Sequence, residues 1–252
     1  MEVIVFSLLA KKEFSITQKI RWLRLFVRAG CDQRFNSIVG MIYDFIPSKT
    51  PIIVDIGANV GNFTRGCTQQ SKKPQIVLAV EPSHYVFPIL EFWSKIWSSK
   101  NTNIICRKNI LSDSSGVSKL HTPIKGSGSL RVGLAYTGEQ KHKEVYSETV
   151  QNLRLDDMLV GERISRVDLV KIDVEGAEEN VINGAPVLLN EIRPIWYLEL
   201  DDSRATPMGN SSQRLFNRMI DAGYKAYLID ADINPIHVLS LQGNDNYLFV
   251  PN

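Results

Sequence analysis

No C-x-x-C pair occurs in this chain of 252 residues; Cys31, Cys67 and Cys106 stand far apart. That spacing indicates neither a zinc site nor a disulfide framework, and it fits a reducing, cytoplasmic compartment. Long apolar runs are missing too. Nothing approaches the roughly 20 residues of a membrane span. The short run Val3–Ala10 follows Glu2, where a secretory signal would carry positive charge, so it is read as part of the fold. A dominant charge of one sign is also lacking. The formal net charge is +2, so no global field draws the chain to nucleic acid. The sequons at Asn62 and Asn210 have no secretory signal to give them meaning. What is present, 44% hydrophobic and 22% charged residues, is the composition of a globular chain long enough for one sizeable α/β domain.

The stretch Pro51–Gly61, P-I-I-V-D-I-G-A-N-V-G, organises the rest. Its β-branched run through Ile52, Ile53, Val54 and Ile56 predicts a buried parallel strand. Gly57 and Gly61 predict a sharp turn that lets a ligand approach the main chain. Asn62 is the expected cap of a helix starting at Phe63. Strand, glycine turn and helix are the layout of nucleotide sites at the carboxyl edge of an α/β sheet. The spacing, however, is G-x-x-x-G rather than G-x-G-x-x-G, and Asp55 sets a negative charge where a pyrophosphate would be repelled. A carboxylate there suits a ligand with a positive group, and S-adenosylmethionine carries an ammonium and a sulfonium. Glu81 ends the next apolar run, Ile76–Val80, where an acid typically receives a ribose diol. Any strand-to-helix turn holds glycines, but Asp55 and Glu81 together favour the cofactor reading.

Before this stretch, Lys11–Arg34 is basic, with seven Lys and Arg against Glu13 and Asp32. Ile20, Leu23 and Val27, with Trp22 and Phe26, recur at helical spacing, and Gly30 predicts the helix end. Such a helix either packs its apolar side on the domain or touches an anionic substrate or a membrane surface; the first is the commoner outcome. A second helix is predicted over Phe35–Ile46. Beyond Glu81, Ser83 is read as a helix cap, with Pro88 kinking or delaying that helix. Asn103–Lys108 reads as a third strand. At its end Ile110 and Leu111 offer apolar contact to an adenine and Asp113 an acceptor for its amino group, unless this is an ordinary polar turn. Lys119–Leu153, broken by four glycines, reads as an inserted β-hairpin or lid, its His121 and His142 solvated. Val167–Asp173 is the fourth strand and delivers Asp173-Val174-Glu175-Gly176 to the edge that holds Asp55. Pro186 is placed to begin a helix. Ile195–Leu200, Tyr224–Ile229 and Tyr247–Val250 complete the strands.

Val54–Thr64 (V-D-I-G-A-N-V-G-N-F-T) and Lys171–Glu178 (K-I-D-V-E-G-A-E) resemble the FkbM family of class I S-adenosylmethionine-dependent methyltransferases. Glu81-Pro82, Leu111-Ser112-Asp113 with Gly116, Gly128-Ser129-Leu130, and Asn246 with Phe249-Val250-Pro251 are smaller echoes. The likeness spans roughly residues 51–252, leaving 1–50 as an N-terminal helical extension. It implies a doubly wound, Rossmann-like α/β fold with a seven-stranded, mostly parallel sheet and an antiparallel last strand, carrying an insertion at about 119–153. It also implies O-methylation of a hydroxyl on a sugar, glycan or secondary metabolite. The cofactor candidates are then Asp55, Gly57, Asn59, Gly61, Asn62, Glu81, Ile110, Asp113 and Asp173.

Methyl transfer needs a nucleophile in line with the sulfonium and a carboxylate to take the hydroxyl proton. Asp173 is the first candidate for that base. Lys171, two residues earlier on the same strand face, either orients Asp173 or is a structural ion-pair partner. Glu175 is the second acid, for acceptor binding or for the Gly176 turn. The acceptor pocket is expected from Lys119–Leu153, the Asp173 turn and residues 201–212. Asp173, Glu199 and Asp201 are a minor magnesium alternative; no metal is assigned. The acceptor is expected to be a small molecule or a glycan. Nucleic acid is disfavoured because the turn after the fourth strand lacks the N/D-P-P-aromatic pattern of base methylation, although an RNA ribose acceptor stays open. A binding protein without turnover is the reading from a different class.

Overall fold

A computed structural model describes residues 11–70, 75–138 and 142–252. The Val3–Ala10 run lies outside them. Two helices come first, α1 (Ile16–Cys31) and α2 (Asn36–Tyr43). Ser15 and Gln18 form a reciprocal capping box at the start of α1. Then follow β1 (Ile52–Ile56), α3 (Asn62–Gln70), β2 (Gln75–Val80), α4 (Phe87–Trp97) and β3 (Thr102–Arg107). Pro88 lies in the first turn of α4, so the helix starts after the turn that Ser83 closes by accepting from Tyr85 N–H.

The next segment builds a separate small sheet. It comprises β4 (Ile110–Leu111), β5 (Gly116–Pro123), β6 (Tyr136–Thr137) and β7 (Val145–Leu153), in the order β4-β7-β5-β6. The long β5–β7 antiparallel pairing dominates it. The chain then continues through α5 (Leu155–Gly161), β8 (Leu169–Ile172), α6 (Glu178–Asn183) and β9 (Ile195–Leu200). A short α7 (Asp202–Ala205), α8 (Ser212–Asp221), β10 (Tyr224–Ile229), β11 (Pro235–Val238) and β12 (Asp245–Pro251) close it. Between α6 and β9 the helix expected from Pro186 is a π-helical turn, Leu188–Ile192.

The main sheet has eight strands in the order β11-β10-β12-β9-β8-β1-β2-β3. This corrects the expected seven. β12 runs antiparallel to β9, and β11 adds a second antiparallel element by pairing with β10 at the edge. The extra strand exists because Asp230 accepts from the backbone of Asp232 and Asn234 and folds the chain into a hairpin. Pro235 is tolerated because it opens an edge strand.

Both faces of the sheet are covered. Ile53, Val77 and Leu169 lie under Val39, Ile42 and Phe63 of α2 and α3. Their neighbours Val54, Leu78 and Val170 point the other way, into a cluster with Leu159, Leu188 and Phe216. Burial on both faces explains why these strands read as continuous apolar runs rather than alternating ones. Among the described residues no helix is long and apolar enough to cross a membrane. The chain leaves β1 outward through β2 and β3, then returns to place β8 on the other side of β1. This reversal is the topological switch point, outside whose carboxyl ends a crevice opens.

Candidate active site

The crevice is a cavity of ≈ 440 Å³, within the range of small-molecule sites. Its floor is the turn after β1, from Gly57 through Val60 to Asn62. The end of β2 supplies Glu81, and Asn109–Ser112 form one side. The end of β8 supplies Lys171, Asp173 and Glu175. The small sheet adds Leu120 and the 132–137 segment, and α1 adds Arg21, Leu25 and Arg28.

Gly57 sits at φ +71°, and a Cβ there would lie 1.8 Å from the Asp173 carbonyl oxygen. Only glycine lets the ends of β1 and β8 come this close. Asn59 also adopts a left-handed backbone, at φ 52°, and donates its N–H to Glu81 Oε2 at 2.9 Å. Glu81 Oε1 accepts from Ser83 N–H at 2.9 Å. Burial pushes the Glu81 carboxyl up to about 7, against the pull of those two backbone donors. Asn62 lies in the first turn of α3 rather than capping it, and its Oδ1 is shielded from solvent without a hydrogen-bond partner.

Asp55 is the principal correction. It is fully buried and does not line the cavity. Its Oδ2 accepts from Thr64 N–H at 3.1 Å and Thr64 Oγ1–H at 2.7 Å, so Asp55 caps α3 in the place expected of Asn62. Its Oδ1 is 3.3 Å from Lys171 Nζ. The charge reserved for a cationic ligand is spent inside the protein. Gly61 is also absent from the wall. It has φ +91°, and a Cβ on it would meet Leu90 and Trp97 of α4 at 2.9 Å, so it serves packing. Asp113 is exposed, accepts from Ser112 and Ser114 hydroxyls, and lies off the cavity that Ile110 lines.

Lys171 lies between two carboxylates. Besides Asp55 it meets Asp173 Oδ2 at 3.4 Å and donates to the Gly57 carbonyl at 3.2 Å. Burial disfavours its charge, but the two carboxylates outweigh that and raise its pKa. Burial likewise opposes ionisation of Asp173, yet Lys171, a hydrogen bond from Glu199 and Arg204 hold its carboxyl below the usual range. Glu199 is its complement, pushed up to about 7 by burial and by the Asp173 charge.

Glu175 sits at φ 59° with its carboxyl on the cavity. Burial raises it to about 8, although Arg204 Nη1 stands 2.7 Å away. Arg204 was not foreseen. It also meets Glu199 and Asp201, each at 3.1 Å, and so occupies the centre of the acids considered for magnesium. Among the described residues no His, Cys, Asp and Glu side chains are grouped to hold a metal. Residues 201–212 do not line the cavity; they act from behind Glu175. Gly176, at φ +103°, packs against the Arg204 backbone, where a Cβ would lie 2.4 Å from the Arg204 carbonyl oxygen. Glu178 closes the same turn by accepting from Val174 and Gly176 N–H at 3.0 and 3.3 Å. His121 is buried and bonds Ser147 at 2.7 Å, rather than being solvated. The helical spacing of α1 shows a face, but not which neighbour that face meets, and Arg204 stands in a four-residue helix too short to show a pattern.

The profile of the methyltransferase FkbM domain matches residues 55–226. No curated protein sequence matches the chain significantly. The structure is similar to an FkbM methyltransferase from Methylobacillus flagellatus, with a TM-score of 0.53 and 14% identity over 91% of this chain. This chain spans 59% of that protein's length. It also matches magnesium protoporphyrin IX methyltransferase of Synechocystis with bound SAM, at TM-score 0.47 and 11% identity, over 90% of this chain and 82% of that one. A precorrin-6y C5,15-methyltransferase from Geobacter metallireducens matches at TM-score 0.44 and 9% identity, over 85% and 87% of the two chains.

Proposed function

Because the chain belongs to the FkbM methyltransferase domain family, we propose that it moves a methyl group from S-adenosylmethionine to a hydroxyl on a sugar, glycan or secondary metabolite. One observation carries this reading. A single cavity brings together the β1–α3 turn, Glu81, and two acids, Asp173 and Glu175, whose pKa values are held down and pushed up respectively. The residues fit the cofactor. Glu81 keeps a free lone pair on each oxygen for a ribose diol, the orphaned Asn62 Oδ1 suits an ammonium, and Ile110 and Leu111 give an apolar wall for adenine. Bound there, S-adenosylmethionine supplies a methyl on a cationic sulfur.

The remaining steps belong to this chain. Asp173, held charged by Lys171, receives the acceptor hydroxyl's hydrogen bond and takes its proton as the new C–O bond makes it acidic. Glu175, raised to about 8 by burial and steadied by Arg204, binds the acceptor. Two carboxyls whose surroundings push their pKa values apart divide these tasks. The described parts of the inserted segment, 119–138 and 142–153, act as a lid that excludes water, and the transfer domain begins at residue 51, after the helices of residues 11–50. Three free cysteines agree with a cytoplasmic setting, and the net charge of +2 gives no support to a nucleic-acid acceptor.

The test is calorimetry with S-adenosylmethionine, S-adenosylhomocysteine and NAD, followed by turnover on a panel of sugars and metabolites. Wild type is expected to bind the two methionine compounds and not NAD. Glu81→Ala should weaken both about tenfold or more, by loss of its hydrogen bonds to the ribose. Asp173→Asn should bind S-adenosylhomocysteine normally and lose about 10²–10⁴ in kcat. Binding of NAD alone, or of none of the three, would overturn the assignment.

A further inference from the structure

α1 presents two faces to the protein. Gln18, Trp22, Phe26 and Ala29 are buried, and Trp22 Nε1 donates to the Tyr85 carbonyl at 2.8 Å. The adjoining stripe, Arg21, Leu25 and Arg28, spaced i, i+4, i+7, walls the cavity. α1 lies outside residues 55–226, the part matched to the family.

The cavity's charges are unevenly committed. Lys171 is engaged by Asp55, Asp173 and the Gly57 carbonyl. Arg28 and Arg34 both lean on Asp32, at 3.4 and 2.8 Å. Arg21 has no ion pair among the described residues, and its Nε is shielded from solvent without an acceptor. A desolvated guanidinium N–H without an acceptor calls for a partner, and Arg21 places this one in the wall of the cavity. Glu81, Asp173 and Glu175 can serve only positive or neutral parts of a ligand. Among the described residues that line the cavity, Arg21 is the cation without an ion pair that an anionic part can meet.

We propose that Arg21 is the oxyanion-binding residue of this cavity, pairing its planar fork with a carboxylate, sulfate or phosphate group of a bound ligand. The proposal extends the methyl-transfer reading and rests on it for one of two sources of the anion. That source is the methionyl carboxylate of the cofactor. The other is an acidic group on the acceptor, which would make the acceptor class an acidic sugar or metabolite.

Calorimetry on the full chain separates them, using wild type, Arg21→Gln and Arg21→Lys with two matched pairs of probes. S-adenosylhomocysteine is paired with 5′-methylthioadenosine, which lacks the amino-acid moiety, and glucuronate is paired with glucose. Arg21→Gln is expected to weaken one anionic probe by about tenfold or more and to leave its partner within about twofold. Arg21→Lys should recover part of the loss. Loss confined to S-adenosylhomocysteine assigns the anion to the cofactor; loss confined to glucuronate assigns it to the acceptor. Equal loss within a pair, no loss for any probe, or wild type binding neither anionic probe overturns the proposal. Wild type binding glucuronate but neither nucleoside sinks the cofactor reading alone and leaves the role of Arg21 standing.

Discussion

Lys171 is the residue on which the site's electrostatics turn. The residue is 4% exposed, and its ammonium is shared by Asp55, which caps α3, and Asp173, which faces the cavity. Replacing a whole buried ion cluster by apolar groups is often neutral, but removing one partner strands the others. Lys171→Met is therefore expected to cost roughly 3–5 kcal/mol by denaturant unfolding, and Asp55→Asn in that background should return part of it. A loss below about 1 kcal/mol would mean that solvent already screens the cluster. From the sequence, Lys171 and Asp173 were legible as neighbours on one strand face. The partnership with Asp55 was not, because it depends on β8 lying beside β1.

Among the elements, α1 shows how far a periodic pattern reaches. Its amphipathic spacing announced a helix, and the structure supplies Ile16–Cys31. The ordinary expectation that it packs its apolar side on the domain is met by Trp22, stacked on Phe26 with centroids 5.3 Å apart, and by Trp93 bonding the Phe26 carbonyl, but not by Ile20 and Val27, which are exposed. The cavity-facing arginines are the part that the pattern did not separate from solvated charge. Trp22→Ala should cost roughly 3–5 kcal/mol. By hydrogen exchange, amides 16–31 should lose protection ahead of those of β1, with weaker S-adenosylhomocysteine binding as the wall loosens. Unchanged protection in α1 would show that it holds without this anchor.

At the scale of the whole molecule, stability follows the acids crowded at one sheet edge. Burial raises Glu81 and Glu199 to about 7 and Glu175 to about 8. Folded carboxyls with raised pKa bind protons that the unfolded chain has already released. Stability is then full below the unfolded value near 4.5 and falls as pH rises through 7 to 8. The melting temperature should drop by several degrees between pH 5.5 and 8.5, and drop less in Glu175→Gln, as read by a thermal-shift series. A flat or rising profile would contradict these shifts. A saturating ligand that satisfies the site should narrow the difference.

The sequence by itself determined the sheet's central strands, the turn after β1, and the meeting of that turn with the Asp173 segment. These are written in local rules, namely apolar runs, glycines that must take φ > 0, and the order of elements that sends both strand ends to one edge. Only the tertiary structure decided how each charge is used. Asp55 turned inward to Thr64 and Lys171, Glu178 tied its own turn, and Arg204 folded back among Glu175, Glu199 and Asp201. α1 delivered Arg21 to a cavity assembled mostly from residues far along the chain. A residue's type fixes the charge it carries; which carboxylate is buried, paired or left for a ligand depends on neighbours that folding alone brings within hydrogen-bond range.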